Sequence, residues 1–162
     1  MIMKKARAKK SWPCGRTGPL VEFLLSIYPK GIPLADLASK LGVSTSVISN
    51  AFRVDNMHLS RAEAIAKAYG YELRLSYRYR GQYPSDSVYT PSRNVGNLYG
   101  LEEYSQRMKR TYHFIATTAG FNGRALASAI SKGDIMLDRL DTISTCLGLS
   151  IDWNFIKKDD VQ

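Results

Sequence analysis

The chain has 162 residues, 44% of them hydrophobic, and a net charge of +9, which suits one ordinary domain or two small ones with a packed core. Its two cysteines, Cys14 and Cys146, have neither metal-site spacing nor the density of a disulfide scaffold. No apolar run approaches the length of a membrane span, so we expect a protein of the reducing cytoplasm, with no membrane contact, metal or cofactor.

The N-terminal segment is the most basic part of the chain. Residues 1–20 contain six basic residues and no acidic one, whereas the two charge types balance in residues 99–162. A solvated tail is the ordinary interpretation of such a run. Attached to small helical modules, it also suits an arm that neutralises phosphates. We therefore predict a flexible basic arm over residues 1–17, with phosphate contacts from Lys4, Lys5, Arg7, Lys9 and Lys10.

Two short helices joined by a tight turn are predicted after a first helix over residues 19–28. Their apolar residues recur at helical spacing: Leu34, Leu37, Ala38 and Leu41 in one, then Val47, Ile48, Ala51 and Phe52 on the inward face of the next. Gly42 suits the left-handed conformation that ends many helices, and Ser44 is predicted to cap the second helix. A short glycine-containing turn between two short helices indicates a helix-turn-helix arrangement.

A further helix is predicted to start at Ser60 and to end at Gly70. The stretch SRAE, which begins at Ser60, has the spacing of a capping box, so we expect Ser60 to cap its own helix.

Residues 71–79 alternate between apolar and polar types, which predicts a half-buried strand. A strand or hairpin packed against its own module is the interpretation that we favour slightly. A self-association edge and a basic, tyrosine-bearing ribbon on phosphates are the alternatives. Pro84 and Pro91 indicate turns, so we expect a strand-like segment and linker over residues 76–97.

The chain contains an internal repeat of 78 residues. Sliding the sequence against itself by this distance pairs residues 34–75 with residues 112–153. The identical pairs are Ala38/Ala116, Gly42/Gly120, Ala51/Ala129, Leu59/Leu137, Arg61/Arg139, Ile65/Ile143 and Gly70/Gly148. In the second copy we expect a first helix over about residues 98–109, with Asn122 and Asp138 as the caps of later helices.

Both copies resemble one known family. ADLASKLGVSTSVISNAF followed by LSRAEAIAKAYGYEL resembles the phage-repressor (Cro/C1, or Xre) helix-turn-helix domain, and IATTAGFNGRALASAISKGDIMLDRLDTISTCLGLSIDW resembles it too. The resemblance implies a mainly α protein of two small helical-bundle domains with the lambda-repressor-like fold, joined by a short extended segment. The predicted domains are residues 18–75 and 98–156, followed by a tail over residues 157–162. The first copy has Asp55-Asn56 where the family usually has glycine.

In this family the second helix of the motif lies in the DNA major groove, so its outward residues are the predicted base-reading set. They are Thr45, Ser46, Ser49 and Asn50 in the first copy and Gly123, Arg124, Ala127 and Ser128 in the second. Asn50 suits adenine, the Thr45 methyl suits thymine, and Arg124 suits guanine O6 and N7. Arg53, Arg110, Thr111 and Lys132 are further candidates for phosphate contacts.

We therefore expect a sequence-specific double-stranded-DNA-binding protein, of the phage or mobile-element regulator kind, with no small-molecule effector. A linker over residues 76–97 would span roughly 25 Å, so one chain would approach two half-sites of unequal sequence. The alternatives are an interaction protein, in which one helix-turn-helix serves dimerisation or partner docking, and a non-specific architectural DNA binder. No nucleophile, phosphate loop or carboxylate–histidine cluster supports an enzyme.

Overall fold

The computed structural model describes residues 15–79, 88–92 and 95–160. In chain order, the described elements are α1 (Gly18–Ile27), α2 (Leu34–Leu41), α3 (Thr45–Arg53), α4 (Leu59–Ala68), β1 (Tyr71–Tyr79), β2 (Val88–Tyr89), α5 (Tyr99–Met108), α6 (Tyr112–Thr118), α7 (Gly123–Lys132), α8 (Leu137–Leu147) and β3 (Leu149–Lys157), with a 3₁₀ turn at Lys158–Asp160. None of the helices in these ranges combines the length and the hydropathy that a membrane span requires.

The turns that end the helices depend on a left-handed backbone. Gly42 ends α2 with a φ of 71°, as predicted, and Gly133 ends α7 with a φ of 72°. The position equivalent to Gly133 is Asp55, whose φ is 58°. Its carboxylate accepts hydrogen bonds from the backbone N–H groups of Arg16 and Thr17, over 2.9 and 2.8 Å. These bonds help to hold a non-glycine residue in a conformation that normally costs energy, and they tie the start of α1 to the end of α3.

The strands form one antiparallel sheet in the order β2-β1-β3, and this sheet corrects the expected fold class. We expected a mainly α chain of two helical bundles with the lambda-repressor-like fold, but the described residues form a mixed α/β structure. The predicted strand at residues 71–79 is confirmed, and it packs against α4 of its own copy. Its edge pairs along its whole length with β3, the strand that ends the second copy. The backbone N–H and C=O groups on this edge of β1 are therefore paired by the other copy.

The register of β1 and β3 defines an internal two-fold axis. Leu75 pairs with Trp153, and these two residues occupy the same position in the 78-residue repeat. The repeat also relates the pairs on either side of them. The pair Tyr71–Lys157 at one end of the ladder corresponds to the pair Tyr79–Leu149 at the other end. Equivalent residues face each other when an approximate 180° rotation relates the two copies. The chain therefore resembles a symmetric dimer made from one polypeptide.

A second contact lies on the same axis. His58 and Met136, which are also equivalent residues, form an isolated antiparallel bridge just before α4 and α8. The backbone N–H of Leu59 donates to the carbonyl of Ile135 over 2.8 Å, and the backbone N–H of Leu137 donates to the carbonyl of Met57 over 2.9 Å. The relative orientation of the two copies is therefore fixed at two places along the axis, at the bridge and at the sheet.

Each copy also caps a helix of the other copy. Asp134 accepts hydrogen bonds from the backbone N–H and the hydroxyl of Ser60, both over 2.9 Å, and Asn56 Oδ1 accepts from the backbone N–H of Asp138 over 3.0 Å. Asn56 and Asp134 are equivalent in the repeat. We expected Ser60 and Asp138 to be the caps. That expectation is wrong, because α4 and α8 begin one residue earlier and receive their cap across the axis.

The first helix of each copy packs against the strand of the other copy. The ring of Phe23 on α1 stacks on Phe155 of β3, with centroids 4.2 Å apart. Gly100 on α5 lies against the ring of Tyr77 on β1, so closely that a β-carbon there would overlap the ring. Tyr77 and Phe155 are equivalent residues, and the buried side chains of both copies form one continuous core.

The reciprocal cap gives a direct test of this arrangement. We expect Asn56→Ala to lower the free energy of unfolding by about 1 kcal/mol, because the first turn of α8 loses its acceptor. Ser44→Ala is the matched control: Ser44 stands at the start of α3, but its hydroxyl contacts Ser46 and caps no amide. Urea denaturation of both variants measures the difference. Equal losses would contradict the cross-copy cap.

Candidate nucleic-acid interface

Two buried side chains anchor α3 to its module. Ile48 and Phe52 are 0% and 2% exposed, and they lie one helical turn apart on the face toward α2. Val47, which we expected on the same inward face, is 43% exposed. It is one residue from Ile48 and so about 100° away around the helix, outside the contact with α2. The buried face of α3 is therefore narrower than the pattern of its apolar residues predicted.

The opposite face of α3 is polar and accessible. Ser46 and Asn50 are exposed, and Thr45 and Ser49 are partly exposed, so all four predicted residues of this copy reach the surface. The Arg53 guanidinium, one helical turn beyond Asn50, donates to Asn50 Oδ1 in a close contact. A carbonyl oxygen has two lone pairs, so this bond orients the amide while one lone pair and the amide N–H groups stay available to a base edge.

The pair α6–α7 is built on two side-chain caps. The Thr111 hydroxyl accepts from the backbone N–H of Phe114 over 3.0 Å, and Asn122 Oδ1 accepts from the backbone N–H of Ala125 over 2.7 Å. The prediction that Asn122 caps the second helix is thus confirmed. Leu126, which is 3% exposed, anchors α7 at the position equivalent to Ile48. The two copies reach the same helix-pair geometry through different caps.

The outward face of α7 carries fewer polar side chains than that of α3. Arg124 and Ser128 are exposed and Ala127 is partly exposed. Gly123, also in the predicted base-reading set, lies where α7 approaches α6: a β-carbon on it would stand 2.9 Å from Cα of His113. Gly123 therefore determines how closely the helices approach. His113, Asn122, Gly123 and Arg124 border a shallow concavity at the start of α7.

Candidate phosphate contacts surround these faces. Arg53 and Lys132 are the exposed last residues of α3 and α7. Arg110 is exposed and its guanidinium lies over the ring of Phe114, 4.7 Å from the centroid, while Thr111 caps α6 through its hydroxyl. The remaining predicted contacts fall outside the described residues; they are Lys4, Lys5, Arg7, Lys9 and Lys10.

Tyr112 is the titratable group of these helix pairs with a shifted pKa. Burial raises the pKa of its phenol, and the carboxylate of Glu102 raises it further. The hydroxyl therefore stays protonated and donates to Glu102, over 3.4 Å. Within residues 15–79, 88–92 and 95–160, no cluster of histidine, cysteine and acidic side chains could hold a metal ion.

The backbone bridge on the internal axis follows a few residues after each candidate reading helix. The bridge residue His58 follows the last residue of α3 by five positions, and Met136 follows that of α7 by four. The same rotation that exchanges the copies exchanges α3 with α7. The sequence interpretation missed Asn56 and Asp134, which hold this arrangement; their equivalence in the repeat was the available signal.

Comparison of the chain with protein-family models, with curated proteins and with solved structures gives no significant match.

The contact at Gly123 leads to a prediction about the second helix pair. Gly123→Ala should lower the free energy of unfolding by about 1–3 kcal/mol, because the new methyl group meets the backbone of α6. Ser128→Ala, on the exposed face of the same helix, is the control and should change it by less than about 0.5 kcal/mol. Urea denaturation followed by circular dichroism measures both values. A change as small at Gly123 as at Ser128 would mean that α6 and α7 are not in close contact.

Proposed function

We propose that the protein is a cytoplasmic, sequence-specific double-stranded-DNA-binding protein, a transcriptional regulator that inserts α3 and α7 into the major groove. The observation that carries this proposal is the two-fold relation between two helices with polar outward faces. Duplex DNA has local two-fold axes, and two helices related in this way meet half-sites about 34–36 Å apart in equivalent orientations.

The bridge and the sheet support a fixed spacing between the two helices. We predicted a strand-like segment and linker over residues 76–97, which would span roughly 25 Å if it were flexible, but residues 76–79 belong to β1 and are paired with β3. Nine residue pairs between β1 and β3 and a backbone bridge hold the copies that carry α3 and α7. Under this proposal, the spacing of α3 and α7 does not adapt to an altered half-site separation. The chain would therefore recognise both the sequences of its half-sites and the distance between them.

The outward residues suggest different sequences for the two half-sites. Asn50 has the amide that pairs with adenine N6 and N7, and Thr45 offers a methyl group to thymine and a hydroxyl to either neighbour. Arg124 on α7 suits a bidentate contact with guanine O6 and N7. Ser46, Ser49, Ala127 and Ser128 are small enough to allow close approach to base edges. Arg53, Arg110, Lys132 and the basic N-terminal residues would neutralise phosphates.

One observation favours a second candidate function for the second copy. Phe114 on α6 is 44% exposed, and its module carries as many acidic as basic residues over positions 99–162. An exposed aromatic side chain in a segment without net charge suits a protein partner. In this alternative, the first copy binds DNA and α6–α7 docks another protein or a second copy of this chain.

The first test is selection of binding sites from random duplexes at near-physiological salt. We expect enrichment of a site with two unequal halves about one helical turn apart, bound by one chain as measured by sedimentation. Inserting five base pairs between the halves should abolish the contribution of one half, because the insertion rotates it to the opposite side of the duplex. A single enriched half-site would favour the docking alternative, and no enrichment would reject sequence-specific binding.

The second test separates base reading from phosphate binding. Arg124→Ala should remove preference at one base position, a loss of about 1–3 kcal/mol for the preferred base. Lys132→Ala, at the other end of the same helix, should weaken all sites about equally and reduce the salt dependence of binding by about one ion. Titration of a panel of single-base site variants at several salt concentrations measures both effects. If Arg124→Ala weakens every site alike, Arg124 contacts phosphate.

A further inference from the structure

The outer edges of β1 and β3, on the two sides of the β1–β3 ladder, differ in their hydrogen-bond partners. On the β1 side, β2 pairs with it at Tyr77 and Arg78. Further along the same edge, Asn97 Oδ1 accepts from the backbone N–H of Leu75 over 2.9 Å, and its amide donates to the carbonyl of Leu73 over 2.9 Å. Leu73 and Leu75 are 4% and 0% exposed. Val88, Tyr89 and Asn97 thus cover parts of this edge.

The equivalent edge of β3 has no paired strand among the described residues. The residues equivalent to Leu73 and Leu75 are Ile151 and Trp153. Along a strand, the backbone N–H and C=O groups of alternate residues point to the same side. Asp152 and Asn154 pair with residues of β1 whose backbone groups point toward β3, so their own backbone groups point toward β1. The N–H and C=O groups of Ile151 and Trp153 therefore point outward, where a further strand would pair.

A cavity of about 300 Å³ lies beside this edge, between β3 and α8. Leu140, Leu149, Ile151 and Trp153 form its apolar wall. Ser144 also lines it; its side chain is 4% exposed, and its hydroxyl has no hydrogen-bond partner in the described part of the chain. A buried hydroxyl without a partner is costly, so the cavity suits an occupant that brings both apolar surface and a polar group.

The internal symmetry indicates which segment this occupant is. Gly96, just before Asn97, has a φ of 85°, and Gly15 has a φ of 97°. In both places the glycine carbonyl accepts a hydrogen bond from the backbone N–H three residues later, and a helix, α5 or α1, begins at that residue. Gly15 and Gly96 therefore hold the same place before α1 and α5, although the 78-residue offset does not pair them, and Gly15 itself lines the cavity beside β3.

We propose that the outer edge of β3 and the adjoining cavity are the docking site of residues 1–14 of this chain. Before Gly96 in the chain, β2 pairs with the edge of β1, and residues 1–14 are the chain before Gly15. Fourteen extended residues reach roughly 46–50 Å, more than the roughly 30 Å of a nine-residue strand. The segment includes Ser11 and Trp12, residue types that suit an unsatisfied hydroxyl and an apolar wall.

This proposal does not rest on DNA binding and is tested without DNA. In the full chain, the amide hydrogens of Ile151 and Trp153 should exchange at least about tenfold more slowly than in a chain that begins at Gly15. The amides of Asp152 and Asn154, which face β1, are internal controls and should exchange alike in both proteins. Adding a peptide of residues 1–14 to the shortened chain should restore slow exchange. Equal rates at Ile151 and Trp153 in both proteins would overturn the proposal.

A second measurement uses only the full chain, in case the shortened chain does not fold. Nuclear Overhauser contacts are expected between residues 1–14 and the side chains of Ile151 or Trp153, at all protein concentrations. In a mixture of differently labelled chains, these contacts should be found within one chain. Contacts found only between chains would assign the edge to a second copy, and their absence would leave the edge without this segment; either result overturns the proposal.

Discussion

The pairing of β1 with β3 is the constraint on which the rest of the structure depends. A nine-residue strand carries backbone groups that must find partners, and the partner here belongs to the other copy of the repeat. Because Leu75 lies opposite its own equivalent, Trp153, the ladder imposes a two-fold relation on everything attached to it. Four helices lie on each side of the axis, and this register relates one set to the other.

The bridge at His58 and Met136 makes this relation rigid. A single ladder would leave the copies free to twist about the strands, as sheets generally do. The bridge and the reciprocal caps at Asn56 and Asp134 hold the other end of the axis, next to α3 and α7. Under the proposed function, the two reading helices are held in one molecule, so binding of both half-sites does not depend on protein concentration.

The two copies satisfy the same constraints with different residues. The left-handed turn after the candidate reading helix is Asp55 in one copy and Gly133 in the other, and the cap acceptor is Asn56 in one and Asp134 in the other. Thr45 and Gly123 are equivalent residues, and the latter allows α7 to approach α6 closely. Under the proposed function, a shared scaffold with different surface residues would allow recognition of two unlike half-sites.

Local chemistry in the sequence by itself determined the helix pairs, the turns at Gly42 and Gly133, the cap at Asn122, the strand at residues 71–79 and the repeat. The repeat follows from comparing the sequence with itself, and each of the other features depends on residues within a few positions of one another, where spacing and backbone preference suffice. The prediction that Val47 faces inward was wrong because periodicity does not show how wide the contact between α3 and α2 is. Only the tertiary structure decided that the strands pair across an axis, that Asp134 and Asn56 cap helices 74 and 82 residues away, and that β3 presents an outer edge. Those features join residues distant along the chain, and the hydrogen-bonding demands that create them are met only when both copies fold together.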